Sequence, residues 1–213
     1  MKYSVVIPCA GKGRRMGLDE NKIFQYIGTK MIIERAVNEF VEDPECKQII
    51  LVHSKEDEER IKKIFKGAKF YFTTGGEERL NSVYSGLQIV SESIVLVHDG
   101  ARPYVTSSCI HSVLKALETS KAAICGVRVK DTIKIVKDGV IVETPARENL
   151  WQAQTPQGLH TDLLLRVYEK ALVNKVNATD DASLVEMLSN EKVKMIEGEY
   201  SNIKITTMED LGK

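Results

Sequence analysis

Apolar residues along most of this chain alternate between short continuous runs and longer helical stripes. Tyr3 to Pro8 is a β-branched run of the length of a buried strand. Ile32, Ile33, Ala36, Val37, Phe40 and Val41 then recur at helical spacing. Gln48 to His53 predicts a second buried strand. Ser54 is placed to cap a helix that carries Ile61, Ile64 and Phe65 on one face. Lys69 to Phe72 predicts a third strand, closed by Thr73-Thr74-Gly75-Gly76, and Val83, Leu87 and Val90 mark the helix after it. Ile94 to Val97 predicts a fourth strand, Ile110, Val113, Leu114 and Leu117 a helix, and Ala122 to Val129 a further strand.

Strands alternating with helices at this spacing imply an α/β fold: a Rossmann-like, mostly parallel sheet with helices on both faces. Ligands of such sheets bind at the carboxyl ends of the strands. The polar loops after the first, third and fourth strands are therefore expected to share one edge. Thr132 to Val142 breaks the rhythm, because Ile133, Ile135, Val140 and Val142 alternate around Lys137-Asp138-Gly139. That is a hairpin signal with Asp138-Gly139 as the turn, read as an arm inserted into the α/β unit. Trp151 to Gln157 follows, then a helix with Leu163, Leu164, Val167 and Tyr168. Asp180-Asp181 precedes a short helix with Val185 and Leu188. Val193 to Ile196 and Ile203 to Thr206 read as late strands, and Met208 to Leu211 as the start of a clipped terminal helix.

At 213 residues the chain is expected to be a single domain, 1–213, with the arm at about 130–148. Its 30 Lys+Arg balance 30 Asp+Glu. That balance argues against a general nucleic-acid binder, which would carry a basic surplus. The cysteines Cys9, Cys46, Cys109 and Cys125 form no C-x-x-C motif, so reduced thiols in a cytoplasmic protein are expected. The run Val5-Val6-Ile7 is too short for a signal segment, and nothing approaches a membrane span.

The loop after the first strand contains Gly11-x-Gly13-x-x-x-Gly17. Its third glycine is one residue late for a dinucleotide fingerprint, since Met16 holds that place. The second strand ends at His53-Ser54, where a ribose-binding acid would stand. An NAD-linked oxidoreductase is disfavoured on both counts, and no Walker A sequence occurs. What remains is a glycine loop with Lys12, Arg14, Arg15 and then Lys22, suited to a triphosphate or simply a solvated basic loop. Asp99 follows a buried strand in His98-Asp99-Gly100-Ala101-Arg102-Pro103. A carboxylate there suits Mg²⁺ or ribose hydroxyls, or forms a turn before glycine. Gly75-Gly76-Glu77-Glu78-Arg79 is a turn entering a helix. The four histidines lack metal-ligand spacing, and no G-x-S-x-G elbow is present.

Taken together, these loops resemble a known family. Pro8 to Gly17 with Lys22 is similar to the signature loop of sugar-phosphate nucleotidylyltransferases. Gly75 to Val83, His98 to Pro103, Val129 to Lys134, Leu150 to Gln157 and Asn202 to Thr206 narrow the resemblance to the 2-C-methyl-D-erythritol 4-phosphate cytidylyltransferase family, from about residue 3 to 211. The resemblance implies transfer of CMP from CTP to methylerythritol phosphate, with release of pyrophosphate, in non-mevalonate isoprenoid synthesis. On the matching positions, Ala10, Gly11, Gly13 and Met16 would build the CTP loop. Arg15, Lys22 and Lys204 would be catalytic cations at the phosphates. Gly76, Glu77 and Ser82 would read cytosine, and Asp99 and Gly100 would sit by ribose and Mg²⁺, with Asp99 as the metal contact. Thr155 would face the sugar phosphate or α-phosphate. Arg102, Thr132 and Arg147 would contact the methylerythritol phosphate of a partner subunit, reached through the arm of a homodimer. Glu77 stands where aspartate is frequent, and Gly100 where alanine is.

Two other readings stay in view. Ribitol 5-phosphate cytidylyltransferase shares the fold and the CTP site, and the Thr132 and Arg147 pattern favours methylerythritol phosphate over it. A non-catalytic CTP-sensing module is opposed by the intact set Arg15, Lys22, Asp99 and Lys204.

Overall fold

The computed structural model describes residues 1–11, 20–176 and 178–212. In chain order the strands are β1 (Tyr3–Pro8), β2 (Tyr26–Ile27), β3 (Lys30–Met31), β4 (Cys46–His53), β5 (Phe70–Thr74) and β6 (Ile94–Val97). They continue with β7 (Ala122–Arg128), β8 (Ile135–Lys137), β9 (Val140–Glu143), β10 (Trp151–His160) and β11 (Val193–Glu197). The α-helices are α1 (Ile32–Glu42), α2 (Glu58–Ile64), α3 (Arg79–Leu87), α4 (Ser107–Ala116), α5 (Thr161–Asn174) and α6 (Asp181–Leu188).

A seven-stranded sheet runs in the order β11-β7-β10-β6-β1-β4-β5. β6, β1, β4 and β5 pair in parallel, so their carboxyl ends share one edge, as expected. Side chains of β1 alternate between two cores. Tyr3, Val5 and Ile7 face a cluster with Val37 and Phe40 of α1, Ile61 of α2 and Val113 of α4. Val6 faces Val83 of α3, Leu164 of α5 and Val185 of α6. Apolar stripes on the helices therefore cover both faces of a sheet whose strands read as continuous hydrophobic runs. At Gly86 a Cβ would lie 2.6 Å from Val6 Cγ1 and 3.0 Å from Val52 Cγ2. That absence of a side chain lets α3 lie close on β1 and β4. No helix among the described residues is long and apolar enough to cross a membrane.

The structure corrects several expected elements. Trp151 to His160, of which only the motif was read, is β10, a strand antiparallel to both β6 and β7. Gln152, Gln154, Thr155 and Gln157 break its hydrophobic pattern, and its pairing to β7 shifts between Ala153 and Gln157. Ile203 to Thr206 lies in no sheet. Its one-sided burial is real, with Ile205 buried against Ile32. Its neighbours, however, are a loop and a side chain: Ile205 N donates to Ala101 O at 2.8 Å, and its carbonyl accepts from Lys22. Ser54 Oγ accepts from Asp57 N at 3.1 Å, capping a turn one step before α2 rather than the helix itself. Thr73 and Thr74 extend β5 instead of closing it. The terminal helix is a single 3₁₀ segment, Met208–Gly212. The arm matches its reading: β8 and β9 pair antiparallel, and Asp138 and Gly139 turn between them with φ of 49° and 79°.

Candidate active site

Three loops leave the sheet at the shared edge, each held by one backbone bond past the strand end. Cys9 N donates to Val52 O at 2.8 Å, Gly75 N to His53 O at 2.8 Å and His98 N to Val6 O at 2.9 Å. The buried Asn21 side chain ties a fourth segment to them. Its Nδ2 donates to Cys9 O at 2.6 Å and to Asp57 Oδ2 at 3.0 Å, while its Oδ1 accepts from Ile23 N at 3.3 Å. This caps the 3₁₀ turn Lys22–Phe24 and sets Lys22 at the edge. Lys22 Nζ then donates to Ile205 O at 2.6 Å, bridging positions far apart in the chain.

Between these segments lies a cavity of about 290 Å³. Ala10, Gly11 and Lys22 line one side of it, and Gly76, Glu77 and Ser82 another. Asp99, Gly100 and Lys204 complete the wall. Ser82 is held inside its own turn, with Oγ donating to Glu78 O at 3.0 Å. A Cβ at Gly75 would lie 2.7 Å from that Oγ, so the turn packs tightly over the start of α3.

Asp99 is the electrostatic centre. Lys204 Nζ sits 2.8 Å from its Oδ2, Arg102 Nε 3.6 Å from the same oxygen, and Arg79 Nε 3.9 Å from Oδ1. Burial by itself raises a carboxyl pKa; the Lys204 ammonium and the Arg79 and Arg102 guanidinium groups outweigh it and hold Asp99 at about 2. Arg79 is itself anchored by a bidentate pair to the buried Asp181, at 3.1 and 2.7 Å, and Tyr168 OH donates to the same carboxylate. Burial works against the Arg79 charge, and Asp181 more than offsets it. Among the described residues, no group of three or more His, Cys, Asp or Glu is arranged to hold a metal ion.

A second cavity of about 240 Å³ adjoins the first. Arg102, Thr155, Gln157 and Asp180 line it, and Arg79, Asp99 and Lys204 line both cavities. Arg102 is aimed by a bond from its Nη1 to Asn202 O at 2.8 Å. Thr132 and Arg147 line neither cavity. Both are exposed on the arm, where Arg147 Nη1 donates to Lys130 O at 2.8 Å. At the arm's root the Arg128 guanidinium lies 4.6 Å from the Trp151 ring centroid, and the Lys130 ammonium 3.6 Å from that of Tyr200.

Comparison with known proteins assigns this architecture. Residues 3–213 match the sequence family described as 2-C-methyl-D-erythritol 4-phosphate cytidylyltransferase. The chain belongs to that family. It is 47% identical over 214 residues to a protein of that name from Bacillus mycoides (strain KBAB4), covering 98% of this chain and 94% of the relative. It is 44% identical over 217 residues to one from Clostridioides difficile (strain 630), covering 98% and 90%. The crystal structure of 4-diphosphocytidyl-2C-methyl-D-erythritol synthase from Anaerococcus prevotii DSM 20548 superposes with a TM-score of 0.88 at 35% identity, covering 99% of this chain and 94% of that one.

For this family member, nine of the expected nucleotide-side and catalytic positions stand together around the first cavity, and Arg102 and Thr155 join Asp99 and Lys204 at the second. Gly13, Arg15 and Met16 lie outside the described residues. Sequence reading gave no role to Arg79, Asn21, His98 or Asp181. Arg79 was legible as the last residue of the glycine turn, and Asp181 only as a helix-start acid. Nothing in one sequence pairs them across 102 positions.

Proposed function

We propose that this chain transfers CMP from CTP to 2-C-methyl-D-erythritol 4-phosphate. The observation that carries this reading is the wall formed by Arg79, Asp99 and Lys204 between two adjacent cavities, since a transfer reaction must bring two ligands to one place. The incoming phosphate monoester is largely dianionic at neutral pH, its second pKa being about 6, and needs no general base. One of its oxygens attacks the α-phosphorus of CTP; the α–β bridging P–O bond breaks, and its electron pair leaves on pyrophosphate. The product is 4-CDP-2-C-methyl-D-erythritol.

The protein's task is to bring two anions together in line and to spread the charge that builds up. CTP takes the first cavity, with cytosine at the Gly76-Glu77 turn and Ser82, the ribose by Asp99 and Gly100, and the triphosphate along Ala10, Gly11, Gly13 and Met16. Arg15 and Lys22 grip the triphosphate. Lys204 stands at the seam and stabilises charge at the α-phosphorus. Methylerythritol phosphate takes the second cavity, beside Arg102 and Thr155. A small divalent cation held largely by phosphates and water takes one or two protein carboxylates. Asp99, ionised at neutral pH, fits that role and would hold Mg²⁺ brought with CTP, where the ion would neutralise phosphate charge.

The reading extends to assembly and setting. It takes 1–213 as one cytidylyltransferase domain whose arm, about 130–148, reaches a second copy. Thr132 and Arg147 then serve the partner's substrate phosphate, and Arg suits bidentate phosphate capture. In support, the hairpin's apolar side chains are exposed and both residues lie away from the cavities of their own chain. The four buried free thiols support a cytoplasmic setting.

Pyrophosphate release tests the reading. CTP with methylerythritol phosphate should turn over, ribitol 5-phosphate should be used far less well, and UTP should replace CTP poorly. Backbone carbonyls at the turn can accept from the cytosine amine; uracil presents an acceptor there, which is costly when buried. Equal kcat/KM for CTP and UTP, or for the two polyol phosphates, would overturn it.

A further inference from the structure

Directly behind Asp99 lies a run of hydrogen bonds to which the mechanism gives no role. His98 is wholly buried, Thr155 nearly so, and His98 lines neither cavity. His98 Nε2 stands 3.1 Å from Arg102 O. A carbonyl only accepts, so this nitrogen carries the proton. In the neutral imidazole His98 Nδ1 is then an acceptor, and Thr155 Oγ1, 2.9 Å away, donates to it. The Thr155 oxygen in turn accepts from Asp99 N at 3.1 Å. The direction of every bond is thereby fixed: Asp99 amide to Thr155 hydroxyl, hydroxyl to imidazole, imidazole to Arg102 carbonyl. The turn is closed by Arg102 N donating to Asp99 O at 3.0 Å. The Phe40 ring packs on the imidazole with centroids 5.2 Å apart. Asn202 Nδ2 donates to Thr155 O at 2.8 Å, and Asn202 O receives Arg102 Nη1, so one network reaches both faces of the loop.

We propose that His98 is a positioning residue which, acting through Thr155, sets Asp99 and Arg102 at the seam between nucleotide and acceptor. The inference rests on the proposed transfer reaction and adds to it. It also changes the reading of Thr155, whose hydroxyl holds the loop instead of grasping substrate.

The test is a double-mutant cycle of His98→Phe and Thr155→Val, with Thr155→Ser as the conservative control. Steady-state kinetics are measured with each substrate varied, on proteins shown by circular dichroism to be folded. Misplacing a reacting group by a fraction of an ångström is worth about 10–100-fold. Each single variant should lose about that much in kcat/KM for methylerythritol phosphate. The double variant should be no worse than the poorer single, because both break one chain of bonds. Thr155→Ser should stay within about threefold of the unaltered protein. His98→Gln, which can keep the Arg102 bond but offers Thr155 no acceptor at the Nδ1 position, replaces His98→Phe if that variant does not fold, with the same loss. Additive losses would assign Thr155 a direct substrate contact and overturn the inference. An unchanged kcat/KM for methylerythritol phosphate in both single variants would overturn it too. An unaltered protein inactive with both substrates would overturn the proposed function itself, and the inference with it.

Discussion

The loop after β6 and the hairpin of β8 and β9 are built on opposite terms. Around Asp99, polar groups find partners within one chain: the carboxylate with Lys204, Arg102 and Arg79, the amide with Thr155, the imidazole with Arg102 O. On the hairpin, Val140 is 65% exposed and Ile141 58%, with Ile135, Val136 and Val142 also on the surface. A two-stranded hairpin is marginal in water without cover. The loop draws most of its partners from its own chain, whereas the arm leaves its apolar side chains uncovered by that chain. Under the proposed function, one end of the site depends on folding alone and the other on association with a second copy.

The largest effect should come from the loop end. Lys204→Ala removes a preorganised charge beside the reacting phosphate and should lower kcat by about 10²–10³-fold, about 3–4 kcal/mol. The side chain is 37% exposed, so the fold should survive, as a melting curve would show. Acid should act next. The folded pKa of Asp99, about 2, lies below the ordinary value of 3.8. The stability this gives is therefore full above the ordinary value and fades as pH falls from there through about 2. It amounts to about 2 kcal/mol. Denaturant melts between pH 5 and 2 should show that loss in the unaltered protein and less of it in Asp99→Asn. The smallest change in protomer stability belongs to the arm. Ile141→Ser should move it by less than about 0.5 kcal/mol, as for a surface site. The same variant should shift sedimentation from dimer toward monomer and lower activity with it. A dimer undisturbed by Ile141→Ser would detach the arm from association.

How much of this was legible in the sequence follows the same division. Tyr3 to Pro8, Ile94 to Val97 and the Asp138-Gly139 turn could be read because local pattern and final environment agree there. β10 could not, because a strand that carries Gln154, Thr155 and Gln157 into a site abandons the hydrophobic pattern that marks strands. The segment Ile203 to Thr206 showed true one-sided burial but had no strand beside it to pair with. At the site, the loop motifs identified nine of the residues that line the first cavity, and Arg102 and Thr155 at the second. Asn21, which also lines the first cavity, and His98 and Asp181, which lie behind the cavity walls, were given no role, because their partners are distant in sequence.

The claim that one end of the site needs a second copy is tested most directly by mixing two inactive variants, Lys22→Ala and Arg147→Ala, under conditions that allow subunits to exchange. In a mixed dimer, one site collects both defects and the other has neither. Pyrophosphate release should return to about one site in four when equal amounts mix at random. If Arg147 serves its own chain, every site keeps one defect and no activity returns, which would contradict the account.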